Sequence, residues 1–282
     1  MKRLTRRIFI RWAEASAAAA AIPSFSPGVS PPREEQASTK ERFALGMASY
    51  TFRAFNLDAA IAMTKRLGLK RISLKSVHLP LDASPEILAA ARARVEEAGI
   101  SLYSGGVIYM TSEAEVRQAF AYARAAGMGM IIGAPNPELL SVAEARVKET
   151  DIHLAIHNHG PTDKLFPTPE TVYERIKGLD KRIGLCIDIG HTQRSGVDPA
   201  GSAERCFDRL LDVHIKDVTA ATAEGGPIEI GRGVINIPRF LGTLIRLGYA
   251  GTLSLEYEKD EKDPFPGAAE SIGYVKGVLA AL

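Results

Sequence analysis

Four apolar runs in the C-terminal half of this chain end abruptly in residue types that bind metal ions. The runs close at His157, at Asp188 in Cys186-Ile187-Asp188, at His214 after Val213, and at Glu256 in Leu253-Ser254-Leu255-Glu256. Singly, each is an ordinary polar residue at the end of a strand. Four in succession point to one site where strand ends converge. Two imidazoles and two carboxylates suit Mn, Co, Zn or Fe better than Mg or Ca, which want oxygen alone. The expected cofactor is therefore one divalent metal ion held by His157, Asp188, His214 and Glu256. Such an ion polarises a carbonyl, so that a proton on the neighbouring carbon can leave as an enediolate forms.

Other polar groups flank these positions. Lys75 closes the run Ile72-Ser73-Leu74-Lys75, and His78 follows it. A lysine ending a buried strand is costly unless it faces a site or reaches solvent. Lys75 and His78 are thus catalytic candidates, as acid, base or polariser of a substrate oxygen. His191 lies three residues past Asp188, His159 two past His157, and Lys216 and Asp217 follow His214. With Arg232 in the Gly-rich stretch 225–233, these are the substrate-binding candidates, and that stretch reads as a lid. Tyr50, Arg53 and Tyr109 are weaker candidates. Gly105-Gly106 leaves room for a substrate.

The elements that must position these groups alternate from Phe43 onward. Strands are expected at 44–49, 71–75, 101–105, 128–132, 152–157, 183–188, 212–215 and 252–256. Helices are expected at 58–67, 85–98, 113–126, 137–150, 169–179, 199–210, 237–247 and 267–280. Gly68, Gly99, Gly127 and Gly248 sit where helix C-terminal caps belong. Pro85, Pro137, Pro169 and Pro199 fall at helix starts, where a missing N–H costs nothing. Eight strand–helix units in about 240 residues define an α/β class protein, a single-domain (β/α)8 TIM barrel, with functional groups at the strands' C-terminal ends. A doubly wound sheet needs a Gly-rich loop after its first strand, and Ala48-Ser49-Tyr50-Thr51-Phe52-Arg53 is not one.

The segments C-I-D-I-G-H (Cys186 to His191), V-H-I-K-D (Val213 to Asp217), G-R-G-V-I-N (Gly231 to Asn236) and G-T-L-S-L-E-Y-E (Gly251 to Glu258) resemble the xylose isomerase-like family of sugar isomerases and epimerases. The resemblance runs from Phe43 to the end. It implies a divalent ion on a strand-five Glu, strand-six Asp, strand-seven His and strand-eight Glu. Asp188, His214 and Glu256 match by type. The family commonly reads L-E-N-H at the first position, and this chain reads Ile156-His157-Asn158-His159. Related epimerases use the two metal-bound Glu residues as a base pair on opposite faces of a sugar. An imidazole whose lone pair is on a metal has none left for that work, so Glu256 alone remains. The resemblance implies an isomerase or epimerase acting on a small non-phosphorylated carbohydrate or keto-sugar. A lyase, dehydratase or keto-glycoside-cleaving enzyme of the same fold is the alternative. An inactive sugar-binding module and a phosphodiester endonuclease are less favoured, since the endonucleases of this superfamily need many more metal ligands than six His allow.

Residues 1–40 read as an address and tether, with the barrel at 41–282. Arg6-Arg7-Ile8-Phe9 and the Ala-rich run after it resemble a twin-arginine export signal, which predicts an exported or periplasmic protein and no stable membrane span. Beyond the first 22 residues, the chain carries 30 basic and 32 acidic residues. A body so near neutrality has no electrostatic reason to bind nucleic acid. The expected partner is a small carbohydrate, and an oligomer is allowed. Cys186 and Cys206 read as buried free thiols.

Overall fold

The computed structural model describes residues 43–282. The expected export signal and tether lie outside the described residues. The strands are β1 (Ala44–Ala48), β2 (Arg71–Leu74), β3 (Ser101–Met110), β4 (Met130–Pro135), β5 (His153–His157), β6 (Ile183–Asp188), β7 (Leu210–Ile215), β8 (Asp217–Val218), β9 (Pro227–Ile228) and β10 (Thr252–Leu255). The helices are α1 (Leu57–Arg66), α2 (Pro85–Glu97), α3 (Glu113–Ala125), α4 (Leu140–Thr150), α5 (Pro169–Ile176), α6 (Ile189–Arg194), α7 (Pro199–Arg205), α8 (Ile237–Leu247) and α9 (Phe265–Ala281). Eight strands close a barrel in the order β1-β10-β7-β6-β5-β4-β3-β2, and every adjacent pair is parallel. This is the expected (β/α)8 barrel, and β10 is its eighth strand.

Local chemistry sets most helix ends near where the sequence placed them. The helix expected at 199–210 stops at Arg205, however, and the one expected at 169–179 stops at Ile176. The one expected from 137 begins at Leu140 after a single tight turn. Gly68, Gly99, Gly127 and Gly248 all take left-handed φ between 68° and 76°. Pro85, Pro169 and Pro199 open α2, α5 and α7, where Ser84, Thr168 and Asp198 accept capping hydrogen bonds. Two elements escaped the expectation: the six-residue α6 directly after Asp188, and the antiparallel β8–β9 ribbon. Both are too short for a periodicity to register.

The largest departure is β3. Expected to stop at Gly105, it continues to Met110 and pairs with β4 as far as Pro135. Gly-Gly reads as a strand breaker, yet here it permits close approach. A Cβ on Gly106 would lie 2.1 Å from the Ile132 carbonyl oxygen, and one on Gly105 would lie 2.9 Å from the Met128 sulfur. The extension carries Tyr109 to the mouth of the barrel.

The core is continuous from the barrel interior to the inner faces of the helices. Met47, Ile72, Leu74, Ile131, Leu154, Ile187, Val213 and Leu255 are all fully buried on barrel strands. Register then levels the polar strand ends. Asp188 pairs with His214, which also pairs with Ser254, while His157 pairs with Cys186. Among the described residues, no helix is long and apolar enough to cross a membrane.

Candidate metal centre

His157 and Asp188 end β5 and β6, His214 is the penultimate residue of β7 and Glu256 directly follows β10, on consecutive sides of the barrel, and all four are buried. One donor atom from each lies within 4.8 Å of all the others. His157 Nε2 stands 3.1 Å from His214 Nδ1 and 3.4 Å from Asp188 Oδ2. His214 Nδ1 is 3.2 Å from Glu256 Oε2. Two imidazole nitrogens this close repel through their lone pairs unless a proton or a cation lies between them. With metal–ligand distances of about 2.0–2.2 Å, ligands on opposite sides of an ion stand about 4–4.4 Å apart. The donor set therefore fits one small divalent transition ion.

Supporting residues fix these side chains. Asp188 Oδ1 accepts the His191 backbone N–H at 2.7 Å as the cap of α6, so only Oδ2 faces the cluster. The Asp188 N–H donates to Asn158 Oδ1 at 3.0 Å, and the Asn158 amide donates to Thr192 Oγ1 at 3.2 Å. This holding role of Asn158 had no signal in the sequence beyond its place between two histidines.

Lys216 comes closer than expected of a loop residue. Its ammonium is buried, 2.9 Å from Asp188 Oδ2 and 2.7 Å from Glu256 Oε2, and it also pairs with Glu258. Gly190 makes room for it, because a methyl there would lie 2.5 Å from Lys216 Cγ. Burial alone would lower the Lys216 pKa, but Asp188, Glu256 and Glu258 outweigh it and hold the group charged. Burial likewise opposes ionisation of Asp188 and Glu256, and the neighbouring ammonium overrides it in both. The two facing imidazoles move in opposite directions. Burial pushes His157 down, whereas the nearby carboxylates, Glu256 foremost, outweigh burial and raise His214.

The remaining candidates divide. Lys75 reaches the mouth, where its ammonium donates to the Val107 carbonyl at 3.1 Å and lies 5.5 Å from the Tyr50 ring. Burial lowers its pKa against the pull of Glu256 and Glu258. His159 and His191 also face the cluster, with ring centroids 4.5 Å and 5.9 Å from that of His157. Both are pushed down, chiefly by burial, His159 to about 4.

His78, Asp217 and Arg232 are engaged elsewhere. Both His78 nitrogens are occupied, Nδ1 by the Ser49 hydroxyl at 2.9 Å and Nε2 by the Phe52 carbonyl at 3.1 Å. The ring thus pins the turn after β1 and has no free nitrogen for a proton transfer. Asp217 accepts four backbone N–H groups, from Val218, Gly231, Gly233 and Ile235, at 2.9–3.1 Å. It organises the loop and presents no oxygen to the cluster. Arg232 is exposed and pairs with Glu270 on α9. The expected lid is anchored through its second half, since the Ile230 N–H also donates to Ser271 and Glu229 binds Tyr257 and Lys259.

Below the cluster, Asp212 is fully buried beside Tyr103 and Cys186, and burial pushes its pKa up to about 7. Both cysteines are free and buried. A 440 Å³ groove between α3 and α4, lined by Arg117, Arg124, Arg146 and Glu149, lies on the outer wall and not at the mouth.

A parallel barrel with His, Asp and Glu side chains converging at its C-terminal end is a TIM barrel with a candidate metal site. The chain belongs to the xylose isomerase-like TIM barrel family, which it matches over residues 56–278. It is 31% identical over 152 residues to rhizopine catabolism protein MocC of Rhizobium meliloti, covering 49% of this chain and 46% of that protein. The chain thus spans less than half the length of that curated relative. A solved structure of an uncharacterized protein from Parabacteroides distasonis is similar at a TM-score of 0.66 and 25% identity, covering 84% of this chain and 99% of the other. D-allulose 3-epimerase from Methylomonas sp. shares the fold at a TM-score of 0.67 and 16% identity, covering 84% and 98% respectively.

Proposed function

We propose that this protein is a divalent-metal-dependent enzyme that enolises a small, non-phosphorylated carbohydrate next to its carbonyl, as an isomerase or epimerase does. The observation that carries this reading is the convergence of His157, Asp188, His214 and Glu256 within 4.8 Å at the barrel mouth. Fold likeness to an epimerase supports it. When bound, the ion supplies positive charge that favours the enediolate over the ketone.

The protein's own residues do the rest. Asn158 and the α6 backbone hold Asp188 in place. Lys216 keeps Glu256 ionised, and so able to accept a proton. Lys75, its charge weakened by burial, stands at the mouth to donate to a substrate oxygen. The same groups serve elimination, in which Lys75 protonates a leaving oxygen, and product analysis separates the two outcomes. The non-phosphorylated substrate follows from the proposed twin-arginine export, because sugar phosphates are largely cytoplasmic.

The test combines elemental analysis of the purified protein with proton exchange in heavy water. D-fructose and D-allulose, a pair of C3 epimers, are the first probes, followed by 3-keto-glycosides. About one transition ion per chain, with C–H exchange that chelation abolishes, is the expected result. A metal-free protein that exchanges no C–H proton in any probe overturns the reading.

A further inference from the structure

We infer that Tyr109 is a stacking platform beside the candidate metal centre, and that the substrate is a glycoside whose aglycone is a ring laid on its face. The inference rests on the enolisation reading above and names its substrate class. Tyr109 lies near the end of β3, in the stretch that continues past Gly105 to the mouth of the barrel. Its side chain is 58% exposed, so much of the ring has no protein cover. The ring is nevertheless held in place. The His159 imidazole stacks on it, with centroids 5.2 Å apart and planes 25° from parallel. The phenol hydroxyl also lies 3.0 Å from His159 Nε2. A ring fixed in this way loses little conformational freedom when a ligand covers it. Sugars and aryl groups both carry flat apolar faces, and laying one on an open phenol removes apolar surface of both from water.

Position decides what such a platform holds. The His159 ring is 4.5 Å from that of His157, and Tyr109 stands one ring further out. The four candidate metal ligands come from β5, β6, β7 and the end of β10. Tyr109, Lys75 and Tyr50 lie at the ends of β3, β2 and β1, on the other side of the mouth. A sugar whose carbonyl meets the metal centre occupies the first side. A ring on Tyr109 is then a second group, joined to that sugar and reaching across the mouth.

The surroundings of Tyr109 suit a carbohydrate-like partner. The Lys75 ammonium lies 6.0 Å from the Tyr109 ring and 5.5 Å from the Tyr50 ring, and it donates to the Val107 carbonyl at 3.1 Å. An aromatic face with a hydrogen-bond donor beside it matches a sugar, which has C–H faces and oxygen edges. Open apolar side chains continue the same arc. Val77, on the loop after β2, and Leu165, on the loop after β5, are both exposed. Apolar groups left open at the functional end of a barrel mark a ligand surface. A monosaccharide at the metal centre leaves the Tyr109 face bare, whereas a glycoside covers it.

The test uses the full chain loaded with zinc, and β-D-glucosides with methyl, phenyl and glucosyl aglycones. These compounds have no ketone to enolise, so affinity is read at equilibrium by ligand-observed NMR titration. Wild type is expected to bind the phenyl or the glucosyl compound at least about 5-fold more tightly than the methyl compound. A gain for phenyl alone identifies an aryl aglycone, and a gain for glucosyl alone identifies a second sugar. Tyr109→Ala is expected to keep its zinc and erase the gain. Tyr109→Phe is expected to retain it, because the ring survives. Equal affinity for all three compounds, no binding of any, or a gain that survives Tyr109→Ala would overturn the inference. Loss of the gain in Tyr109→Phe would also overturn it, by assigning the gain to the hydroxyl. C–H exchange of the corresponding 3-keto-glucosides in heavy water tests the enolisation reading separately. A Tyr109-dependent gain without exchange would keep the platform and overturn enolisation, whereas exchange without the gain would overturn the platform alone.

Discussion

Lys216→Met isolates the electrostatics of the site from its catalysis. The ammonium is 5% exposed and lies 2.7 Å and 2.9 Å from carboxylates that are themselves buried. Methionine matches the stem in length, so packing against Gly190 is kept and only the charge is removed. Removing one partner of a buried ion pair costs about 3–5 kcal/mol, because the other partner is left uncompensated. For a barrel of this size, a loss of 1 kcal/mol lowers Tm by about 2–4 °C, so the variant should melt about 6–20 °C below wild type. The deficit is expected after dialysis against a chelator, with circular dichroism as the readout. Adding Mn, Co or Zn should close most of it, since a divalent ion on the same oxygens replaces the lost charge. Lys216→Met/Glu258→Gln should recover part of the stability without metal, because one of the three carboxylates is then neutral. A metal-free Lys216→Met protein that melts within about 2 °C of wild type would refute the argument. It would mean that the buried carboxylates take up protons at little cost, and that the lysine does not hold the site together.

Other expectations follow from single contacts. His78→Phe removes two hydrogen bonds under the turn after β1 and should lower stability by about 1–3 kcal/mol in denaturant titrations, with little change in metal content. Asp217→Ala orphans four backbone N–H groups, so the loop around Gly225 to Gly233 should become a site of rapid proteolysis. Gly190→Ala places a methyl 2.5 Å from Lys216 Cγ and should reproduce the metal-free instability of Lys216→Met, as read by thermal melts. Glu229 is buried, which alone would raise its pKa, but Lys259, its own backbone and Tyr257 hold it down, to about 2 from an ordinary 4.5. Its folded pKa is the lower one, so its contribution is complete above pH 4.5 and is lost as pH falls toward 2. Glu229→Gln should therefore flatten the fall in Tm across that window.

How much of this was legible in the sequence depended on the range of the interaction that decides each feature. Helix ends are local, and the glycines at 68, 99, 127 and 248 marked them because left-handed φ is cheap only there. The convergence of His157, Asp188, His214 and Glu256 was legible because an apolar strand that ends in His, Asp or Glu is a pattern written along the chain. The extension of β3 was not, since Gly105-Gly106 breaks a strand on local propensity and continues one only when β4 packs this closely. The roles of His78 and Asp217 were misjudged for a related reason. Both lie near functional strand ends, but their partners, Ser49, Phe52 and the backbone of 231–235, come from other parts of the chain.

The replacement at position 157 and the burial of Lys216 belong to one charge balance. Asp188, Glu256 and Glu258 bring three negative charges to the end of the barrel, and Lys216 returns one positive charge. The sum is −2, which one divalent ion would match if both imidazoles, at 157 and 214, bound it in their neutral form. A glutamate at 157 would add a negative charge within reach of Asp188, where burial already opposes ionisation. The imidazole at 157 and the ammonium at 216 therefore keep the donor set affordable in a buried place.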